Sequence, residues 1–434
     1  MANVQQANKA DMASSIEEEN AAFGTSSTDT VASKMAWFAV IVAALGYFVD
    51  VFDMWLFANF RVTSLKDLGL GADQVTTVGA MLINCQQFGL LLGGFCWGML
   101  GDKRGRASVM FASIILYSLA NLANAFVTSV PQYAVLRFIT GFGLAGEIGA
   151  GITLIAELLP KAQRGYGTTI VTGLGVSGAI AAAYAGSHME WRHAYLLGGV
   201  MGLALLLLRY LVHESGMYSK MKHDDGISRG SLKLLFGSRN RVARYICCVL
   251  LGVPIYLCFA IFAAFSPEIA TAIGISGVQV PEVMLYASIG ITIGDVGAGL
   301  LSQLLQSRRK PIAMFVFFGF LSSLYVALGY PTSGHAYSLA VGVVGIFSGY
   351  WACLITATAE QFGTNLRATV TTTVPNVVRA SAIILTSSFI WLKPALGVQT
   401  AVLIIALGTY VVTAVALLYL KESFHRDLDF YEHH

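Results

Sequence analysis

The sequence predicts an all-α membrane protein of twelve transmembrane helices, arranged as two six-helix halves around a central cavity. Three observations predict it: the chain is poor in charge, its apolar residues fall into twelve stretches of spanning length, and its second half repeats landmarks of the first. Of 434 residues, 56% are hydrophobic and 12% charged, against about 25% charged in a soluble globular chain. Such a composition excludes a disordered chain, a basic nucleic-acid-binding protein and a disulfide-stapled secreted domain. All six cysteines fall inside apolar runs and read as small buried hydrophobes.

Residues 1–33 are polar and acidic, without the basic and apolar regions of a signal peptide, and read as a cytoplasmic tail. Apolar stretches near the ~20 residues that a bilayer-crossing helix needs follow at 35–59, 75–100, 107–129, 132–158, 166–187 and 194–212. After a polar interruption they resume at 242–265, 281–305, 311–330, 336–359, 370–392 and 396–420. The fifth is rich in Gly and Ala, and the eighth carries Asp295. The polar stretch divides the chain into a first bundle at 34–213, a linker at 214–241, a second bundle at 242–421 and a tail at 422–434. With an even number of spans and both termini inside, 21 Lys and Arg lie on the cytoplasmic side and four outside: Arg61, Lys66, Arg192 and Lys393. That imbalance is what the positive-inside rule predicts.

The halves share landmarks. Glu157 and Arg164 of one polar segment align with Glu360 and Arg367 at an offset of 203, while Gly98 and Arg104 after the second span align with Ser302 and Arg308 at an offset of 204. A duplicated six-helix unit enclosing a midplane site is a transporter plan. The run from Gly98 through Asp102, Arg104, Gly105 and Arg106 resembles the signature loop of the major facilitator superfamily, and Arg137-Phe-Ile-Thr-Gly141-Phe-Gly143 resembles its fourth-helix motif. The segments GYFVDVFD, RFITGFGLAGE and AELLPKAQRG are similar to the metabolite:proton symporter branch. Gln306 stands where the second copy of the loop would carry its acid. The resemblance implies the major facilitator fold, a monomer in a bacterial inner membrane, and a proton gradient as energy source with no cofactor.

Ionisable groups at bilayer depth cost at least ~2.5–3.5 kcal/mol on insertion scales and are functional candidates by default. Asp50, Asp53, Arg137, Glu147, Asp295 and Arg379 are such groups. Asp50 and Asp53 lie three residues apart and so are expected to share one helix face, in the same outer half of the membrane as Arg137, with which they could pair. An Asp that parts from Arg137 during a conformational change would take up a proton; the alternative is a permanent ion pair that positions helices. Glu147 is a second proton or substrate candidate, or a packed glutamate.

Arg379 lies near mid-membrane and reads as a carboxylate-binding cation or as the ion-pair partner of Asp295. Pro375 and Asn376 precede it and are expected to interrupt their helix. Asn376, Gln86, Tyr47, Tyr256, Tyr350 and Trp351 are candidates to complete the cavity. Asp102, Arg104 and Arg106, with Glu157, Arg164, Glu360 and Arg367, are gating candidates or simple cytoplasmic anchors.

No GxxxxGK[ST] motif, metal-ligand cluster or catalytic triad is present. An enzyme, an ATP-driven pump, a metal site and a nucleic-acid partner are therefore not expected; the partners are a small solute, protons and the lipid bilayer. The expected function is proton-coupled import of a small anionic or zwitterionic metabolite. An exporter, an uncoupled facilitator and a transporter-like sensor are the alternatives.

Overall fold

The computed structural model describes residues 37–38, 40–104, 106–146, 164–214, 235–424 and 432. Most of both tails and of the linker, and the end of the fourth span with Glu147 and Glu157, lie outside the described residues. Among those described, every regular element is helical. The first half comprises α1 (Val40–Asp67), α2 (Ala72–Arg104), α3 (Arg106–Asn124), α4 (Val130–Leu144), α5 (Arg164–His188) and α6 (Trp191–Glu214). In the second are α7 (Arg239–Leu257), a π-helical turn (Cys258–Ala263), α8 (Ser266–Ala272), α9 (Val280–Leu304) and α10 (Arg309–Ala327). They are followed by α11 (Gly334–Ser348), α12 (Trp351–Gln361), α13 (Thr364–Leu396) and α14 (Val398–Tyr419). Ten stretches among the described residues are long and apolar enough to cross a membrane, and α3 and α4 supply the shorter remainder of the twelve-helix plan.

The duplication is visible in the packing. The halves meet where α2 packs on α13 and where α5 packs on α9. An offset of 204 carries α2 onto α9 and α5 onto α13, so the two contacts are one interface used twice. Within the halves, α2 crosses α4 and α9 crosses α11 at equivalent glycines. A Cβ on Gly141 would lie 1.9 Å from the carbonyl oxygen of Gln86, and one on Gly345 would lie 2.5 Å from that of Ala287. Neither backbone oxygen has a flexible end to move aside. Gly141→Ala and Gly345→Ala are each expected to destabilise the fold by about 1–3 kcal/mol, read as a lower melting temperature in detergent.

Three spans differ from expectation. α1 runs to Asp67 instead of ending at 59, because Arg61 is buried with a partner and not solvated outside. The seventh span changes hand-over at Pro254, which has no N–H for the carbonyl of Leu250; the Thr413 hydroxyl donates to that oxygen at 3.0 Å instead, and the helix continues as the π turn. The tenth span is two helices, broken at Gly349 and Tyr350. By contrast α13 passes through Pro375 unbroken, so the expected interruption at Pro375 and Asn376 does not occur.

Candidate functional site

A small cavity lies between the halves, lined by α1 and α5 on one side and by α7, the π turn, α9, the α11–α12 break and α13 on the other. Arg379 reaches from α13 to α1, where its Nη2 donates to Asp50 Oδ2 at 2.8 Å. Both side chains are buried to within 1% of completely. Arg379 Nε and Nη1 have no hydrogen-bond partner among the described residues. The guanidinium is therefore neutralised as a charge but only partly used as a donor.

Around it the wall is aromatic. Trp55 of α1 stacks on Phe259 of the π turn at 4.3 Å between centroids and leans on Tyr256 at 6.0 Å. Tyr47 and Trp351 complete the same wall. The π turn presents Phe259 toward the cavity one residue out of α-helical register, a displacement that π-bulges commonly produce at functional sites.

Asp295 also borders the cavity, but its Oδ1 accepts the backbone N–H of Ala352 at 2.8 Å. It caps the first turn of α12, where unsatisfied N–H groups and the helix dipole favour an anion. Of the two readings of Arg379, the ion pair with Asp295 is not formed; its partner is Asp50. Asp50 and Asp53, three residues apart, diverge by roughly 60° around α1, which stands at the seam between the halves. One acid faces each way.

Asp53 turns into the first half. Its Oδ1 abuts Gly198 of α6, where a Cβ would lie 2.2 Å away, and neither carboxylate oxygen has a hydrogen-bond partner among the described residues. The charge of Arg137 acts on it from α4, yet the two make no direct bond. Arg137 donates to Asn121 at 3.0 Å, to Asn124 at 3.3 Å and to Thr140 at 3.4 Å, and lies over the Tyr195 ring at 4.7 Å. This corrects the expected Asp–Arg137 ion pair: two asparagines hold the guanidinium in place of a carboxylate.

Three cavity candidates lie elsewhere. The Tyr350 hydroxyl donates to Leu251 O at 2.8 Å inside the second half. Gln86 donates to Met54 O at 3.4 Å between α2 and α1, and Asn376 packs on Gly94 where α13 meets α2.

At the end of the bundle carrying the α1–α2 turn, a clasp joins the halves that sequence reasoning missed. Arg61 Nη2 lies 2.8 Å from Glu268 Oε1 and donates to Ala264 O at 2.9 Å, while the Thr76 hydroxyl donates to Glu268 Oε1 at 2.9 Å. Phe265 stacks beneath the guanidinium at 4.6 Å. The available signal was positional: Arg61 and Glu268 stand just beyond the first and seventh apolar stretches, on the same side of the membrane.

The opposite end is described in the second half alone. The side chains of Asp102, Arg104, Arg106, Arg164 and Arg367, and Gly105, lie outside the described residues, while Gly98 falls within α2. Glu360 pairs with Arg308 at 3.1 Å and accepts from Ser423 Oγ at 2.8 Å. The acid missing at Gln306 is supplied by Glu422, which accepts from the Ser307 hydroxyl and from the backbone N–H of Arg308 at 2.9 Å and of Arg309 at 3.3 Å, at the start of α10. Partial burial raises the Glu422 carboxyl, but bonds from Ser307, Arg308, Ser423 and Phe424 outweigh it and hold it down at about 2. A depressed carboxyl supports docking above its ordinary value of 4.5 and loses it as pH falls from there toward 2. Limited proteolysis of the C-terminal segment is expected to be unchanged from neutrality down to about pH 5 in the wild type, and faster at neutral pH in Glu422→Gln.

A model of the Major Facilitator Superfamily matches residues 43–387. A Bacillus subtilis protein provisionally named for niacin/nicotinamide transport is 25% identical over 76% of this chain and 81% of its own length. The 3-(3-hydroxy-phenyl)propionate transporter of Escherichia coli is 29% identical over 65% of this chain and 69% of its own. For the sialic acid transporter of Escherichia coli the values are 26%, 66% and 70%.

Proposed function

The chain belongs to the major facilitator superfamily, and on that premise we propose that it imports a small ring-bearing carboxylate together with protons, by alternating access. It is a multi-pass membrane transporter of small molecules and not an enzyme. The observation that carries the proposal is Arg379, a buried mid-membrane cation with unused N–H donors in an aromatic cavity. Arg binds carboxylates through two parallel N–H bonds, and the stacked Trp55 and Phe259 offer a flat ring its best surface. Niacin, hydroxyphenylpropionate and sialic acid, among the solutes named for the three relatives, bear a carboxylate and the first two are aromatic, while nicotinamide, also named for the first relative, is the uncharged amide of niacin.

Asp50 makes the site exchangeable. A substrate carboxylate that takes over Arg379 displaces Asp50, and the freed acid restores the pair when the substrate leaves. Asp53 holds the coupled proton: an ionised carboxylate, fully buried without a hydrogen bond, is costly, whereas its neutral form is not. The positive-inside bias assigns both termini to the cytoplasm of a bacterial cell, and the Arg61–Glu268 clasp then closes the outer side. Cation export is disfavoured, because the acid lining the cavity, Asp295, is engaged with α12, and Asp50 behind Arg379 is engaged with that guanidinium.

Protein reconstituted in liposomes with a pH-sensitive dye inside tests this. Benzoate, nicotinate, dicarboxylates, amino acids and lipophilic cations are presented in turn. Entry of an aromatic carboxylate is expected to acidify the lumen in wild type and not in Asp53→Asn. Transport without proton movement, or binding of lipophilic cations alone, overturns the reading.

A further inference from the structure

We propose that the proton reaches Asp53 through the first half itself, along a relay of hydroxyls, Ser64, Tyr133 and Tyr195, and not through the substrate cavity. The proposal rests on Asp53 as the proton carrier. Tyr133 of α4 and Tyr195 of α6 are fully buried, with hydroxyl oxygens 2.6 Å apart. Tyr133 donates to Ser64 Oγ at 3.5 Å, and Ser64 lies one turn before Asp67, whose side chain is half exposed at the end of α1. At the other end, Tyr195 lies one turn before Gly198, the residue against which Asp53 packs. The row runs from Ser64, itself fully buried one turn inside the half-exposed Asp67, to the buried acid.

Hydroxyls can pass a proton because each is both donor and acceptor. The guanidinium of Arg137, 4.7 Å from the Tyr195 ring centroid and 5.9 Å from that of Tyr133, sets how they do so. Beside a cation an oxygen gives up a proton more readily than it takes an extra one. The transfers therefore run in concert, with no extra proton resting on either phenol: the Tyr195 O–H bond breaks as one forms on the Asp53 carboxylate. In the same movement Tyr195 takes the proton of Tyr133, whose hydroxyl has turned from Ser64 to Tyr195, Tyr133 takes that of Ser64, and Ser64 takes one from a hydronium ion admitted at the Asp67 end, which is left as water. One proton has moved inward and every hydroxyl is restored. The charged and titratable groups facing Asp53 are Arg137 from α4, Tyr195 from α6 and Asp50 on its own helix, with the Asn121 amide from α3.

Outer opening has to admit water to the fully buried Ser64, and two further joints are open in this structure, the long Ser64–Tyr133 contact and the unbonded Tyr195–Asp53 approach, both with one partner on α1. Asp53 and Ser64 are eleven residues apart, about three turns, and so share a face of α1. Asp50 and Arg61 are also eleven apart and share the neighbouring face, which is tied to the second half through Arg379 and Glu268. While those ties hold, α1 is drawn toward the second half. Releasing them on outer opening lets α1 settle on the tyrosine pair and close both joints together, so protons load only in that state.

The test is hydrogen–deuterium exchange of the Asp53 carboxylic acid, followed by infrared spectroscopy on reconstituted full-length protein with no ligand needed. The protonated C=O band that disappears in Asp53→Asn identifies the group. In Tyr195→Phe and Tyr133→Phe, which keep the rings, exchange of that band is expected to slow by on the order of tenfold or more, with Ser64→Ala slowing it likewise. Unchanged exchange in both tyrosine variants overturns the relay while leaving Asp53 as the carrier. If Asp53→Asn removes no carboxylic band, the carrier assignment itself fails.

Discussion

Arg379→Ala is expected to abolish saturable uptake of the aromatic carboxylate and to weaken its binding by about 2–5 kcal/mol, roughly thirtyfold to a few thousandfold in Kd. The same change leaves Asp50 buried without its counter-ion, which costs a further about 3–5 kcal/mol of stability. These two effects separate in the double variant. Arg379→Ala with Asp50→Asn removes both charges, so the melting temperature recovers while uptake stays lost. Asp50→Asn alone is expected to lower the melting temperature and to tighten carboxylate binding, because the substrate no longer competes with an internal carboxylate. It also stalls turnover, since nothing displaces the bound anion. Arg379→Lys keeps the charge but not the fork of donors, and is expected to fall between. Calorimetric binding and proteoliposome uptake on the four variants and the wild type decide the matter: if the charge-free double variant transports like wild type, Arg379 only holds helices together.

Much of this architecture was legible because a membrane imposes simple rules. Spans follow from apolar length, and the internal offset found at Glu157/Glu360 and at Gly98/Ser302 reappears as two equivalent helix interfaces. Arg379 and the aromatic candidates Tyr47, Tyr256 and Trp351 were found because a cation at mid-membrane is costly and therefore conspicuous. Partnerships were not legible. Depth along a helix placed Arg137 beside Asp50 and Asp53, but partnership also depends on which side of α1 faces which half, and 60° of rotation sends Asp50 to a residue 329 positions away. Breaks were misjudged for a related reason. Pro375 is absorbed by α13, whereas the break that matters, at Gly349, is stabilised by Asp295 from another helix, and no local signal carries that information. Glu422 replaces the acid missing at Gln306 from more than a hundred residues away, again invisible to local pattern.

Glu268→Gln is expected to move the protein from outer-closed toward outer-open. In the closed form the variant leaves Arg61 fully buried with only carbonyl oxygens, an amide and the Phe265 face around it. Once the halves part at this end, both groups are hydrated and the lost charge matters little. The penalty therefore falls on one state. Removing one partner of a buried pair costs about 3–5 kcal/mol; taking 3 as a floor, since Glu268 keeps some solvent contact, the ratio of states shifts by roughly a hundredfold or more. The Asn84 bonds to Thr386 and Ser387 join α2 to α13 but are neutral, and cannot replace that energy. A cysteine at Val51, which lines the cavity, reports the outcome in a background lacking the native cysteines. Its labelling by a membrane-impermeant maleimide from outside is expected to rise at least about tenfold in Glu268→Gln, within the shift above. Exchanging the charges, Arg61→Glu with Glu268→Arg, is expected to return labelling most of the way to the starting rate, because attraction across the seam is restored while the two helices keep their places. Equal labelling in all three proteins would mean that the aromatic stack of Trp55 on Phe259, and not the ion pair, holds this end shut.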